Sequence, residues 1–209
     1  MTQQFDLIVL GSGSGARDGA NKAAKEYGAR VALVESTRWG GSCPNVACKP
    51  TKAYLVAAEL AHDIETLAEK LGIEVGPSRT NLARVKARKD SLIVPKETWM
   101  ERIQGMDHAT FDGYGAFVDP QTVQVNGTRL SAERILVATG SRTAEPPIEG
   151  LAEVGWIDHV SALELTELPE SLLVVGGGPV GLELAQIFSR FGSNVTIVQG
   201  ADRISPRSD

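Results

Sequence analysis

The chain has 209 residues, of which 42% are hydrophobic and 22% charged, a composition typical of a folded globular protein rather than a disordered one. The net charge of −5 provides no basic field for nucleic acid, and no apolar run approaches the roughly 18 residues of a membrane span. Because the first residues also lack the basic and apolar regions of a signal peptide, we expect a cytoplasmic protein with no nucleic-acid or membrane partner.

A glycine-rich turn near the N-terminus lies between two runs of strand-forming residues. The pattern predicts a strand over 5–10, a glycine turn over 11–16, a helix that ends at Gly28, and a strand over 31–35. A G-x-G-x-x-G/A turn alone is weak evidence, because an ordinary α/β protein can contain one. The complete unit favours dinucleotide binding over an ordinary turn.

Four residues of this unit have types suited to a bound dinucleotide. Gly11 permits the tight turn, and Gly13 lets the backbone approach a pyrophosphate at the start of the helix. Ala16 is small enough for close packing of the helix on the strand. Glu35, at the end of the second strand, is placed to accept hydrogen bonds from ribose hydroxyls.

Both cysteines of the chain lie in the next stretch, residues 39–52, behind a pair of glycines. A close pair such as Cys43 and Cys48 is catalytic, metal-binding or inert in a reducing compartment. Metal binding is the weakest of these readings, because a tetrahedral zinc site needs more ligands than the pair supplies. We expect no metal site.

The middle of the chain changes from helical to strand periodicity. Helices are predicted over 53–71 and 80–104, the second interrupted at Pro95, and its basic cluster is most simply a solvated face. Short strands are predicted over 111–117, 122–125 and 129–131, with a hairpin at Asn126-Gly127, and a buried strand from residue 134 leads into a turn near residue 138. A connection near residue 150 marks a domain boundary. The basic cluster comprises Arg84, Lys86, Arg88 and Lys89.

A second glycine turn repeats the first, since Gly176 stands 165 residues after Gly11. It follows a strand over 172–175 and precedes a helix that ends at Gly192 and a strand over 195–199. Two such turns in one chain are far more specific than one, and they indicate two nucleotides with electrons passing between them.

Three motifs together resemble the class I pyridine nucleotide-disulfide oxidoreductases, the flavoprotein group that contains glutathione reductase, dihydrolipoamide dehydrogenase and mercuric reductase. The family pattern G-G-T-C-x-N-x-G-C-x-P-[ST]-K is matched by residues 40–52, A-T-G by residues 138–140, and G-G-G-x-x-G-x-E by residues 176–183. The resemblance covers the whole chain. It implies that the chain corresponds to the N-terminal part of a longer family protein.

The resemblance implies an α/β fold in two parts. Residues 1–150 would form a Rossmann-like FAD-binding domain, a parallel sheet with helices and a small antiparallel β insertion. Residues 151–209 would begin a second Rossmann-like unit that binds NAD(P). Family members are longer, and a later domain supplies a catalytic His-Glu pair to the partner subunit, so we expect His62, His108 and His159 to be surface or structural residues.

The resemblance also assigns residues to the two nucleotides. The residues implied for FAD are Gly11, Ser12, Gly13, Ser14, Gly15, Glu35, Gly41, Ser42, Lys52, Gly115, Ala138, Thr139 and Gly140. The residues implied for the nicotinamide nucleotide are Gly176, Gly178 and Gly181. Gln199 carries no charge that would repel a 2′-phosphate and Arg203 is close in sequence, so NADPH is expected, with NADH possible.

Four residues match the family's catalytic positions. Cys48 matches the thiol beside the flavin, and Cys43 matches the thiol that attacks the substrate; a thiolate is the reactive species, which the start of a helix favours. Lys52 matches a lysine near the flavin ring, and Glu183 matches its ion-pair partner.

The implied function is that of an FAD-dependent NAD(P)H:disulfide or metal-ion oxidoreductase, in which electrons pass through a Cys43–Cys48 disulfide. The acceptor would be a small-molecule disulfide or an ion such as Hg(II). The full-length form would be a homodimer. Two alternatives stay open: a fragment without activity, and a flavin oxidoreductase in which the cysteines are bystanders.

Overall fold

A computed structural model describes residues 2–205, which form both helices and strands. The elements are β1 (Thr2–Leu10), α1 (Ser14–Tyr27), β2 (Val31–Glu35), α2 (Ser42–Asn45), α3 (Cys48–Thr66), a 3₁₀ turn (Glu69–Leu71), α4 (Leu82–Asp90), α5 (Lys96–Gln104), β3 (Ala109–Asp112), β4 (Ala116–Asp119), β5 (Thr122–Val125), β6 (Thr128–Val137), α6 (Leu151–Val154), α7 (His159–Ala162), β7 (Ser171–Val175), α8 (Pro179–Phe191) and β8 (Asn194–Val198). The α/β fold class expected from the sequence is confirmed.

The first compact unit comprises residues 2–45 and 94–144. Its sheet has the strand order β3-β2-β1-β6-β5-β4, in which β3, β2, β1 and β6 run parallel and the last two pairings are antiparallel. Ile8, Val9 and Leu33 are fully buried, because helices or strands cover both faces of the parallel part. The parallel sheet with an antiparallel insertion is the predicted arrangement.

The antiparallel insertion contains the predicted hairpin. Asn126 and Gly127 both have positive φ, 48° and 82°, and they connect β5 to β6. This is the backbone of a type I′ turn, which an Asn-Gly pair adopts readily. Two differences from the sequence-based expectation occur here: the stretch 111–117 divides into the ends of β3 and β4, and the strands predicted near 130 and 136 form one strand, β6.

The second compact unit comprises residues 46–93 and 145–205. Parallel strands β7 and β8 flank α8 in sequence, and α8 packs on α3 and on both strands. Tyr54 of α3 is buried with Ile187 and Phe188 of α8, and its hydroxyl donates to Leu163 O at 2.9 Å. Burial raises the pKa of Tyr54 to about 12, with a smaller contribution from the charge of Glu164.

Two helix predictions differ in detail from the structure. Helix α3 begins at Cys48, five residues before its predicted start, and Pro50 fits there because first-turn amides have no intrahelical partner. Pro95 divides the predicted 80–104 helix into α4 and α5, as expected, and lies at the N-terminal cap of α5.

The prediction that the basic cluster of α4 is a solvated face was wrong for Lys86 and Lys89, whereas Arg84 and Arg88 are exposed. The Lys89 side chain is only 1% exposed and contacts Glu164 Oε1 and, at 2.8 Å, Asp90 Oδ1. Lys86 contacts Asp90 and Glu164 at 2.7 and 2.9 Å. Lys86 and Lys89 are three residues apart and therefore lie on one face of α4, where both form ion pairs with Glu164.

The predicted division at residue 150 into two nucleotide domains stays a prediction, because compactness groups residues 46–93 with the later part of the chain. Residues 206–209, at the end of the predicted second domain, lie outside the described residues. Within residues 2–205, every helix is too short or too polar to cross a membrane.

Candidate functional site

The first glycine turn lies where β1 ends and α1 begins. Gly11 has φ +111°, and a Cβ added to it would lie 2.2 Å from Ala138 O, so this position admits only glycine. The Gly11 amide donates to Val34 O at 2.7 Å, and the Ala138 amide donates to Leu10 O at 2.9 Å. The turn is therefore held at the carboxyl ends of three parallel strands.

Residues 40–41 cross directly over this turn. Gly41 has φ +82°, and a Cβ on it would lie 2.5 Å from the Gly13 Cα. Gly40 has φ +91°, and a Cβ on it would lie 2.5 Å from the indole ring of Trp99. The glycine pair in front of the cysteines is thus required by close packing as well as by backbone conformation.

The Glu35 carboxylate is occupied by hydrogen bonds from its own chain. Its Oε2 accepts from the Ser12 amide (3.1 Å) and hydroxyl (2.9 Å). Its Oε1 accepts from the amides of Ser36 (2.9 Å) and Thr37 (2.8 Å), and more weakly from the Thr37 hydroxyl and the Arg38 amide. Glu35 therefore holds the loop after β2 as well as lying where a ribose is expected.

Trp39 anchors the same loop from its other side. It is buried, and its Nε1 donates to Asp112 Oδ1 at 2.9 Å. Lys96 pairs with the other carboxylate oxygen, and the hydrogen bonds from Lys96 and then Trp39 lower the pKa of Asp112. No local pattern links Trp39 to Asp112 across 73 residues, so sequence reasoning missed this anchor.

Cys43 lies in the short helix α2, which Asn45 closes. The Asn45 Nδ2 donates to Trp39 O (3.0 Å) and to Gly41 O (2.7 Å). Asn45 belongs to the cysteine motif but was not among the predicted site residues, although its place in the motif was a usable signal. Ser42 begins α2 and is exposed, as is Cys43.

Cys48 is the first residue of α3, a helix of 19 residues. It is exposed, and both cysteines are present as thiols. Among the described residues, no side chain caps this helix start. Cys48 therefore stands at the exposed, uncapped start of a long helix.

Lys52 and Glu183 form an ion pair between Nζ and Oε1, as the resemblance implies. The pair joins the second turns of α3 and α8 within the second unit. Their side chains are 59% and 37% exposed, so the pair contributes little to stability, about 0–1 kcal/mol.

The second glycine turn reproduces the first. Gly176 has φ +110°, and the Gly177 amide donates to Gln199 Oε1 at 3.0 Å, as the Ser12 amide donates to Glu35. A Cβ on Gly181 would lie 2.0 Å from Gly176 O. Gly178 caps the start of α8, and Gly192 caps its end. The distance from the first glycine of the turn to the closing glycine is one residue shorter here than in the first unit. The repeat seen in the sequence is a repeat of structure.

Both turns fit the phosphates of a dinucleotide. Among the described residues, no side chain caps α1 or α8, and neither helix has an acid in its first turn. The amides of Ser14 and Gly15 begin α1 at an exposed surface, and nothing lies within 4 Å of a Cβ added to Gly15. Uncapped amides at a helix start bind phosphate well, so the residues present at each turn fit the pyrophosphate of a dinucleotide such as FAD or NAD(P).

The remaining predicted residues lie at the strand ends of the first unit. A Cβ on Gly115 would meet Leu10, Val34 and Val123 at 3.1–3.2 Å, which places its backbone against the ends of β1 and β2. Ala138, Thr139 and Gly140 follow β6, and Gly140 has φ +75°. The structure thus brings the predicted FAD residues of the first unit to one edge of the sheet.

His108 directly precedes β3 and so lies at the opposite end of that strand from this edge. His108 is buried and its Nε2 contacts Asn21 Oδ1 at 2.9 Å. Burial lowers the pKa of His108, which favours its neutral form. Within the described residues, no three His, Cys, Asp or Glu side chains are grouped to hold a metal ion.

The fold and its two turns define a dinucleotide-binding α/β protein, and comparison with known proteins extends this. The family model described as pyridine nucleotide-disulphide oxidoreductase matches residues 5–209. The chain therefore belongs to the pyridine nucleotide-disulphide oxidoreductase family, a family of enzymes, and the predicted membership is confirmed.

Individual relatives agree with this membership. Mercuric reductase of Lysinibacillus sphaericus is 36% identical over 207 residues, which cover 98% of this chain and 38% of the relative. Dihydrolipoyl dehydrogenase of Thermus scotoductus is 39% identical over 211 residues, covering 98% of this chain and 44% of the relative. The solved structure of the HOCl-induced flavoprotein disulfide reductase RclA from Escherichia coli matches with a TM-score of 0.80 and 30% identity, covering 98% of this chain and 44% of that one. The chain thus spans less than half the length of these three proteins.

Proposed function

We propose that the chain carries the cofactor-binding and redox part of an FAD-dependent, NAD(P)H-linked oxidoreductase that reduces a disulfide or a soft metal ion. One observation carries the proposal: an exposed cysteine begins a long helix, a second cysteine precedes it by five residues, and a nucleotide-binding turn stands on each side of the pair in sequence.

Bound FAD would supply the transfer of two electrons from NAD(P)H to a disulfide between Cys43 and Cys48. The thiols would then act by exchange. The Cys43 thiolate attacks a sulfur of the acceptor disulfide, forms a mixed disulfide and releases one acceptor thiol. The Cys48 thiolate attacks Cys43, releases the second thiol and restores the Cys43–Cys48 disulfide.

The other predicted residues take supporting roles in this proposal. The amides around Gly13 and Ser14 bind the FAD pyrophosphate, and Glu35 accepts from the ribose of the adenosine. Lys52 places positive charge near the flavin, and Glu183 orients it through their ion pair.

NADPH is the proposed donor. The Gln199 Oε1 accepts from Gly177, which leaves the Nε2 amide group as a donor suited to phosphate oxygens. An acid at this position would instead repel a 2′-phosphate. The homodimeric full-length form and the cytoplasmic location stay predictions.

Anaerobic titration of the purified chain with NADPH, and separately with NADH, tests the proposal. A yellow protein that develops a long-wavelength thiolate–flavin band, lost in Cys48→Ser, is the expected result. Bleaching of the flavin absorbance that is the same with and without Cys48 would favour the flavin-only alternative. A protein that retains no yellow colour after unbound FAD is removed would favour the fragment without activity.

A further inference from the structure

Ser12, the middle residue of the first glycine turn, connects three segments of the first unit. Its side chain is fully buried. Its hydroxyl lies 2.9 Å from Glu35 Oε2 and 3.3 Å from Arg38 O, and it accepts from the Gly40 amide at 3.0 Å. The second turn has Gly177 at the equivalent position and therefore no hydroxyl. The hydroxyl is thus a feature of the turn that precedes the cysteines.

A hydroxyl has one proton, so Ser12 donates to only one of its two acceptors at a time. The shorter contact, to Glu35, is the stronger one in the structure. Arg38 O is the second acceptor, already within hydrogen-bond distance. Rotation of the hydroxyl exchanges one for the other without moving the backbone.

Glu35 has little acceptor capacity to spare. A carboxylate offers about four lone-pair sites, and the donors around Glu35 already fill them. A ribose hydroxyl that donates to Glu35 must displace one of these donors. The amides of Ser12, Ser36 and Thr37 are fixed by the backbone, whereas the hydroxyls of Ser12 and Thr37 can rotate. The Ser12 hydroxyl has a second acceptor, Arg38 O, already within reach, which lowers the cost of its displacement from Glu35.

That rotation strengthens the turn in front of Cys43. Residues 38–41 form a turn closed by the Gly41 amide on Arg38 O at 2.9 Å. When the Ser12 hydroxyl donates to Arg38 O and accepts from the Gly40 amide, it forms hydrogen bonds with two residues of this turn at once. Asn45 ties α2, which contains Cys43, to Gly41 O at the end of the turn.

We propose that Ser12 is a positioning residue whose hydroxyl turns from Glu35 to Arg38 when a ribose binds, so that nucleotide binding orders the segment that presents Cys43. The inference rests on the proposed function, because it requires an adenosine ribose at Glu35. The ligand recognised is an adenine nucleotide, with or without a flavin.

The test uses the full chain with Cys48→Ser, so that Cys43 is its one thiol. Alkylation of Cys43 by iodoacetamide and hydrogen exchange of the Gly40 amide are measured without ligand and at saturating ADP or FAD. We expect each ligand to slow both rates by about two- to tenfold, the range of one net hydrogen bond. Ser12→Ala should abolish this slowing by saturating ADP.

Thr37→Ala is the matched control, because it removes another hydroxyl from Glu35 without touching residues 38–41. It should keep the slowing. Equal slowing in Ser12→Ala and the parent, or loss of the slowing in Thr37→Ala, would overturn the inference. If Ser12→Ala does not fold, Ser12→Gly, the residue of the second turn, replaces it with the same expectations.

Failure of the proposed function gives a different result. If neither ADP nor FAD binds the parent chain, measured by equilibrium dialysis, the proposed nucleotide site is absent and the inference falls with it. Binding of ADP with no change in either rate contradicts the inference and leaves the nucleotide site standing.

Discussion

Close backbone contacts, and not a ligand alone, require glycine at particular positions of the two turns. Gly11 faces Ala138 O and Gly181 faces Gly176 O, each too close for a Cβ. The motif residues Gly11 and Gly13 could be predicted from spacing, because that spacing follows from the strand-turn-helix geometry. The contacts of Ser12 with Gly40 could not, because they join segments with no shared local pattern.

Gly11→Ala should destabilise the protein by roughly 2–3 kcal/mol, since it combines a left-handed φ with a clash against Ala138 O. Urea unfolding followed by circular dichroism measures the loss. Gly15→Ala is the control, because it lies in helix α1 with open space around its Cβ and should cost nothing or stabilise by up to about 1 kcal/mol. Equal effects of the two substitutions would contradict the role of the crossing.

Features that depend on neighbouring residues in the sequence were predicted well, and features that depend on a contact with a distant residue were not. The Asn126-Gly127 hairpin and the break at Pro95 follow from local backbone rules. The buried Lys89 was missed because its acid, Glu164, comes 75 residues later. A row of lysines and arginines on a helix predicts a solvated face when the acid that pairs with it is distant in sequence.

The cluster on α4 predicts how stability responds to acid. Hydrogen bonds from Lys86 and then Lys89 lower the pKa of Asp90. Burial opposes ionisation of Glu164, but its hydrogen bonds with Lys89 and Lys86 outweigh that effect and lower its pKa as well. A carboxylate with a lowered pKa in the folded state stabilises above its unfolded pKa and loses that contribution as the pH falls through its folded pKa.

Wild-type protein should therefore lose stability below about pH 4.5, the ordinary value for glutamate, and Glu164→Gln should show a shallower loss. The difference is on the order of 1 kcal/mol, because the Glu164 side chain is half exposed. Urea midpoints from pH 6 to pH 3 measure it. Glu59→Gln, an exposed acid of α3, is the control and should follow wild type; a Glu164→Gln profile parallel to wild type would contradict the prediction.

At the scale of the whole molecule, the chain contains two copies of one glycine turn between a strand and a helix, and one pair of cysteines. The repeat could be predicted because each copy is local in sequence. The Lys52–Glu183 pair, 131 residues apart, was predicted only through the family resemblance, since neither residue has a local signal of its own. The compact units interleave segments 2–45, 46–93, 94–144 and 145–205, an arrangement that a reading along the chain does not reveal.

We infer that Cys43 and Cys48 form a redox disulfide that exchanges electrons with FAD. Anaerobic reductive titration of the FAD-loaded, oxidised chain with dithionite tests it most directly, since a disulfide and a flavin each take up two electrons. Wild type should consume one more equivalent of dithionite than Cys48→Ser before reduction is complete. Equal consumption by the two proteins, with FAD bound to both, would contradict the claim.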